Sequence, residues 1–213
     1  MADNYLEKRY AEVFGGGKKT VKKIGGPSLD SLLLRNRSHR GFLKEQLVTR
    51  QMLETIVGVN DKLPSGRNRQ VLRFRLITRD NGADIVLKHI RLGAALPELH
   101  LPLPGTEPEA FIVICSIAPE DRIVDIDLGI SVQSMLLKAV ETGLNGTVIA
   151  AFDRDALKEA LALPLDPLLV LAIGKGTDKI QLTRISPEDN HDYYRKDGIH
   201  YVPKLGLKDL LIQ

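Results

Sequence analysis

The chain has 213 residues, thirty basic and twenty-seven acidic, for a formal net charge of +3. That length buries a substantial core and suits one large domain or a domain with a small appendage. The charge is too mild and too evenly balanced to argue for nucleic acid as a partner, no tract of about eighteen apolar residues predicts a membrane span, and a single cysteine, Cys115, excludes an internal disulfide. Asp3 and Glu7 depart from the basic-then-apolar order of a signal peptide, so a cytoplasmic location is expected.

In chain order, Asn4 to Phe14 places Leu6, Tyr10, Val13 and Phe14 near helical spacing, and Gly15-Gly16-Gly17 ends the pattern. Lys18 to Gly26 reads as a glycine- and lysine-rich linker. Residues 1–26 are therefore expected to be an amino-terminal helix and linker, and 27–213 the domain proper. Ser28 or Asp30 can cap a helix carrying Leu29, Leu32 and Leu33. At its end comes Arg35-Asn36-Arg37-Ser38-His39-Arg40-Gly41-Phe42, with three guanidinium groups, a hydroxyl and an imidazole within six residues. Arginine forks match phosphate bidentately and a serine adds a short hydrogen bond, so the stretch reads as a phosphate grip or as a solvated basic loop.

A second helix is expected from Lys44 to Val59. The polar loop Leu63 to Gln70 can present backbone N–H groups and amides to a ligand. Val71 to Thr78 alternates as a half-buried strand, with Leu72, Phe74 and Leu76 opposite Arg73 and Arg75. Asp84 to Leu92 is compatible with a helix. Ala94 to Pro108 carries four prolines and is expected to be irregular, a packed connector or a lid. His89 and His100 lack metal-ligand spacing and receive no role. The apolar run Phe111 to Ile117 predicts a central strand buried on both faces, with Cys115 as core packing rather than a nucleophile.

Asp125 or Asp127 can cap a long helix ending at Gly143, whose apolar surface is wide enough for burial from more than one side, in the core or at a subunit interface. Thr147 to Phe152 predicts a strand, Asp153 to Leu161 a short capped helix, and Leu168 to Ile173 a buried strand closed by Gly174-Lys175-Gly176. That turn lacks the spacing of a nucleotide-binding P-loop. Ile180 to Ile185 reads as an edge strand, Asp192 to Gly198 as a polar turn, and Ile199 to Gln213 as a leucine-rich end. The alternation predicts an α/β or α+β sheet with helices on both faces. With no Rossmann fingerprint, serine elbow, metal cluster or carboxylate pair, any catalysis is expected to rest on a cofactor.

Three motifs stand in order: Arg37-Ser38-His39-Arg40 after the opening helix, Pro64-Ser65-Gly66-Arg67-Asn68-Arg69-Gln70 before a strand, and Asp127 through Leu144, which reads Asp-x-Gly-x-x-x-Gln-x-x-Leu-Leu-x-Ala-x-x-x-Gly-Leu. Together with Leu168 to Gly174 and Val202-Pro203-Lys204, they resemble the FMN-dependent nitroreductase family from about Pro27 onward. The resemblance implies a central, mainly antiparallel sheet flanked by helices, in a domain-swapped type of homodimer with FMN sites at the subunit interface. It implies tightly bound FMN, NAD(P)H as electron donor and a small-molecule acceptor such as a nitroaromatic or quinone in ping-pong turnover, with no catalytic side chain, nucleic acid or membrane. By the same resemblance Arg37, Ser38, Arg40 and Lys204 hold the phosphate and ribityl chain, with Arg40 also the candidate cation near the flavin pyrimidine edge. Pro64, Ser65, Gly66 and Asn68 reach the other subunit's FMN, Ala150 and Ala151 lie near flavin N5, and Gln133 belongs to the third motif.

Two departures bear on affinity. Asn36 and Leu205 stand where many relatives carry arginine, each forgoing a charge-assisted bond worth about 1.5–3 kcal/mol, with Arg35, Lys175 and Arg195 as possible replacements. Leu72 stands where the family has an aromatic residue. A specialised flavin reductase of dehalogenase type, a non-catalytic FMN-binding protein and a nucleic-acid contact at the basic stretch are the competing readings.

Overall fold

The computed structural model describes residues 25–93 and 99–212. The expected helix Asn4 to Phe14, nearly all of the linker and part of the 94–108 segment lie outside them. The described elements are α1 (Leu29–Arg35), α2 (Arg50–Val57), β1 (Leu72–Ile77), α3 (Ala83–His89), β2 (Phe111–Ser116), α4 (Arg122–Glu141), β3 (Asn145–Ile149), α5 (Arg154–Ala160), β4 (Pro167–Gly174), β5 (Lys179–Ile185), β6 (Tyr194–Lys196), β7 (Ile199–Leu205) and α6 (Leu207–Leu210).

Four strands form an antiparallel sheet in the order β1-β2-β4-β3. Because side chains alternate along a strand, β2 feeds two cores at once. Phe111, Val113 and Cys115 join Val86 of α3 and Leu157 of α5 on one face. Ile112 and Ile114 join Leu53 and Ile56 of α2 and Met135 and Ala139 of α4 on the other. The expected mainly antiparallel α+β layering is thus the observed one. Each fully buried large apolar side chain contributes about 1.5–3 kcal/mol before entropy is counted.

The remaining strands make a separate sheet, β5-β7-β6, in which β5 and β7 run parallel. The single sheet expected from the sequence is therefore two. Tyr194 to Lys196, inside the expected polar turn, pairs with β7, and the two tyrosines at its first register position stack with ring centroids 5.1 Å apart. No helix among the described residues is long and apolar enough to cross a membrane.

Other boundaries move for local reasons. The helix expected from Lys44 starts at Arg50, because Phe42 and Leu43 donate their amides to Thr106 and Lys175 (2.9 and 2.8 Å) and Thr49 supplies the cap, accepting from the Met52 amide. The cap of α4 is Asp121, which accepts from the Ile123 and Val124 amides at 2.8 Å each. Neither Asp125 nor Asp127 caps it; both lie inside the helix. The strand expected from Thr147 to Phe152 spans Asn145–Ile149, since Phe152 instead bridges Ile90.

Candidate functional site

The segment after α1 is held on both sides. Ser38 bridges Gly146 at the start of β3, and the His39 amide donates to the Gly146 carbonyl at 3.2 Å. The Arg40 and Gly41 amides donate to one oxygen of Asp178, at 2.7 and 3.2 Å, while the Arg195 guanidinium donates to the other. The Asp178 side chain is 8% exposed, so this carboxylate is buried among cationic and amide donors, with His39 Nδ1 3.8 Å from one of its oxygens.

Facing this segment is β7. Its two-residue period sets His200, Val202 and Lys204 on one side, and these three line a cavity of about 200 Å³ with Asn36, Arg37, Ser38 and Arg40. Lys204, about 165 residues along the chain from the basic stretch by its numbering, thereby meets it. Four of the residues assigned to phosphate holding by resemblance, Arg37, Ser38, Arg40 and Lys204, therefore share one cavity. Gln133 is tied to its rim, accepting from the Asn36 amide group at 3.4 Å.

The electrostatics are strongly positive. Among the described residues neither Arg37 nor Lys204 pairs with a carboxylate. Arg37 donates to the Leu33 carbonyl at 2.6 Å, and its buried Nε has no partner. Burial lowers its guanidinium below the ordinary arginine value. Arg40 lies over the Tyr193 ring, 4.9 Å from its centroid, with Nη1 3.5 Å from His200 Nε2. Burial lowers the His200 imidazole, and Arg40 and Arg195 push it down further against the opposing pull of Asp178. His39 is also lowered, chiefly by burial; Asp178 opposes this, and Lys175 and Arg40 add to it. Nδ1 of both histidines and Nε of Arg195 are buried without partners. Arg37, Arg40 and Lys204, which pair with no carboxylate among the described residues, fit an anion with several acceptor oxygens.

Of the cations considered as replacements for the missing arginines, Arg35 and Lys175 donate to the Val140 and Gly143 carbonyls at the end of α4. Only Arg195 reaches the site, through Asp178. Leu205 offers its carbonyl to Arg184. The Gly174-Lys175-Gly176 turn makes room for neighbours: a Cβ on Gly174 would lie 2.7 Å from the Phe42 ring, and one on Gly176 would lie 2.1 Å from His39 Nδ1.

The other predicted residues lie elsewhere in this chain. Pro64 and Ser65 line a second cavity, of about 150 Å³, with Asn60, Phe74, Asp127 and Ser131. Gly66 donates its amide to buried Asp127 at 2.8 Å, and a Cβ there would fall 2.2 Å from an Ile123 methyl. Arg67, Asn68 and Gln70 have φ of 54°, 55° and 47°, a left-handed backbone that non-glycine residues adopt at a cost and that clusters at ligand-contacting loops. Gln70 donates its amide to Ser65 Oγ at 3.1 Å and its side chain to Asn68 at 3.1 Å, which holds the strained turn. Ala150 and Ala151 are exposed just past β3, and the Ala151 carbonyl accepts from the Arg91 amide at 2.8 Å. Cys115 is buried in the core and burial pushes its thiol up to about 11, in keeping with a packing role.

Sequence reasoning gave no role to Asp178, Tyr193 or His200. The one signal for His200 was its two-residue spacing from Val202 and Lys204, which becomes informative once a strand is assigned there.

Comparison with known proteins bears on this geometry. Residues 106–175 match the model of the Nitroreductase family. A nitroreductase family protein from Clostridium novyi NT superposes with a TM-score of 0.59 at 20% identity, over 71% of this chain and 87% of that one. A mutant of the FMN and NADPH-dependent nitroreductase NfnB from Sphigopyxis sp. strain HMH gives 0.59 at 18% identity, over 70% and 88%. A protein solved in complex with FMN from Exiguobacterium sibiricum 255-15 gives 0.58 at 17%, over 71% and 90%. No curated protein matches the chain by sequence. The nitroreductase resemblance drawn from the sequence thus holds at two levels, since residues 106–175 match the family's pattern and the described chain has its fold.

Proposed function

We propose that the protein is an FMN-dependent NAD(P)H oxidoreductase of the nitroreductase type. The observation that carries this is the convergence of Arg37, Ser38, Arg40 and Lys204 on one cavity with no carboxylate among its lining residues. The relatives of the same fold include one solved with FMN and one described as FMN and NADPH-dependent. When bound, FMN supplies the redox chemistry, accepting reducing equivalents from a reduced nicotinamide and releasing them to an acceptor of the nitroaromatic or quinone class.

The chain's own residues bind and orient. Arg37 and Lys204 would neutralise the phosphate, the Ser38 hydroxyl would donate to it, and Arg40 would supply a cation that favours developing negative charge. Asp178 positions this apparatus by holding the Arg40 and Gly41 amides and the Arg195 guanidinium. Ala150 and Ala151 present an exposed backbone edge past β3, and Gln133 steadies Asn36 at the rim.

The working unit of the proposal is a homodimer. A cavity of about 200 Å³ is smaller than the roughly 300–1,000 Å³ of sites that enclose a cofactor-sized ligand, and the Pro64–Asn68 loop sits at a different cavity. The second copy's loop then completes each site. Leu34 of α1 and Ile126 of α4, 65% and 48% exposed, offer apolar surface for that contact.

The test is the visible spectrum of the purified protein, with released chromophore identified and counted per subunit. About one FMN per subunit, bleached by NADH or NADPH and restored by a nitroaromatic or quinone, is the expected result. Protein that neither carries nor takes up FMN overturns the proposal, and FMN that no reduced nicotinamide bleaches leaves the non-catalytic binding protein in its place.

A further inference from the structure

We propose that His200 is a direct ligand of the anion in the Arg37–Lys204 cavity, and that the site takes up a proton through this ring when it binds a dianion of the phosphate or sulfate class. The inference rests on reading that cavity as the cofactor's phosphate site, but it concerns the anion alone.

The argument begins with the ring's hydrogen bonding. His200 is 4% exposed and lines the cavity. Its Nε2 faces Arg40 Nη1 at 3.5 Å. A guanidinium only donates, so Nε2 is assigned the lone pair and the ring proton goes to Nδ1. That Nδ1 is buried and has no partner. With Nδ1 closed off in the interior, the ring meets an anion in the cavity through Nε2, the nitrogen on the side of Arg40.

The charges around the ring decide its protonation. From the segment after α1 come Arg37, Arg40 and His39, from β6 and its approach Arg195 and Tyr193, from its own strand Lys204, and from the turn before β5 Asp178. Asp178 is the one carboxylate in this set, and Arg195 and the Arg40 and Gly41 amides occupy it. Burial and these cations disfavour the charged ring. A dianion reverses the local sign and draws Arg40 away from Nε2, freeing that nitrogen to accept a proton. Burial and cationic neighbours lower the ring's affinity for protons in the protein alone, so the linkage falls at and below the ordinary imidazole range.

Sulfate is the probe, because its charge stays constant across the range in which phosphate, with a second pKa of about 6, changes its own. Calorimetric titration at fixed ionic strength, in buffers of different ionisation enthalpy, reads proton uptake directly. The expected result is uptake approaching one proton per sulfate, with affinity rising up to about tenfold per pH unit as pH falls. In His200→Gln, sulfate binds more weakly and with a flat pH profile. Binding without proton uptake in the natural sequence, or uptake that persists in His200→Gln, overturns the inference. Should His200→Gln not fold, the NMR titration of the His200 ring decides. A midpoint raised by sulfate supports the proposal and an unmoved one refutes it. Sulfate bound with proton uptake by a protein that rejects FMN supports the anion site and sinks the cofactor reading alone. Sulfate that does not bind at any pH overturns the inference.

Discussion

Asp178→Asn tests whether the buried carboxylate organises the basic segment. One Asp178 oxygen accepts two backbone amides, from Arg40 and Gly41, and the other accepts the Arg195 guanidinium. Asparagine keeps the shape but has one acceptor. With its oxygen toward the backbone, its NH2 group faces the Arg195 donors; turned round, it faces the two amides. Either orientation loses at least one charge-assisted bond, worth about 1.5–3 kcal/mol, and leaves a donor opposing a donor. A loss of about 2–4 kcal/mol is expected from urea unfolding at unchanged m value. For a chain of this size that corresponds to a fall in Tm of roughly 4–16 °C. A variant within about 0.5 kcal/mol of the natural stability refutes the argument that Asp178 holds the segment.

Three further outcomes follow from the same geometry. Arg37→Ala removes a cation whose buried Nε has no partner, so FMN affinity falls about 10- to 150-fold, measured by fluorescence of cofactor released on dilution; unchanged affinity removes Arg37 from the phosphate site. Gly176→Ala puts a methyl 2.1 Å from His39 Nδ1 and is expected to cost about 1–3 kcal/mol of stability by overpacking, whereas Gly105→Ala, with nothing near its Cβ but a φ of +82°, tests backbone strain alone. His39 and His200 both have lowered affinity for protons in the folded protein, so the unfolded chain binds more protons below its imidazole midpoint near pH 6.5. Stability contributed by the neutral rings is present above that pH and declines as pH falls toward the folded midpoints. Thermal melts from pH 7.5 to 5 detect the decline, and sulfate lessens it; a Tm flat across this range counts against buried neutral rings.

The interior of the main sheet was legible in the residues because its signals are local. The apolar runs Phe111 to Ile117 and Leu168 to Ile173 have no polar face, and a strand without a polar face must be covered on both sides. The helix through Met135 and Ala139 was equally plain from its spacing of three and four. Its start was not, since Asp121, Asp125 and Asp127 are all competent caps and only the amides of Ile123 and Val124 select among them. The short strand Tyr194–Lys196 was invisible for a related reason. Three residues carry too little periodicity, and what makes them a strand is the partner β7.

By composition alone the basic stretch read equally as a phosphate grip or a solvated basic loop. Its architecture depended on contacts between residues far apart in the chain. Asp178 reads as one more acid in a polar turn until folding brings it under the Arg40 and Gly41 amides, and His200 as a lone ring until β7 turns it into the cavity beside Arg37. Propensity and hydrophobic pattern act over a few residues and can be read in order along the chain. Charge saturation, orphaned donors and the protonation of a buried ring depend on which distant groups are packed within a few ångströms, and that is fixed only when the sheets close on one another.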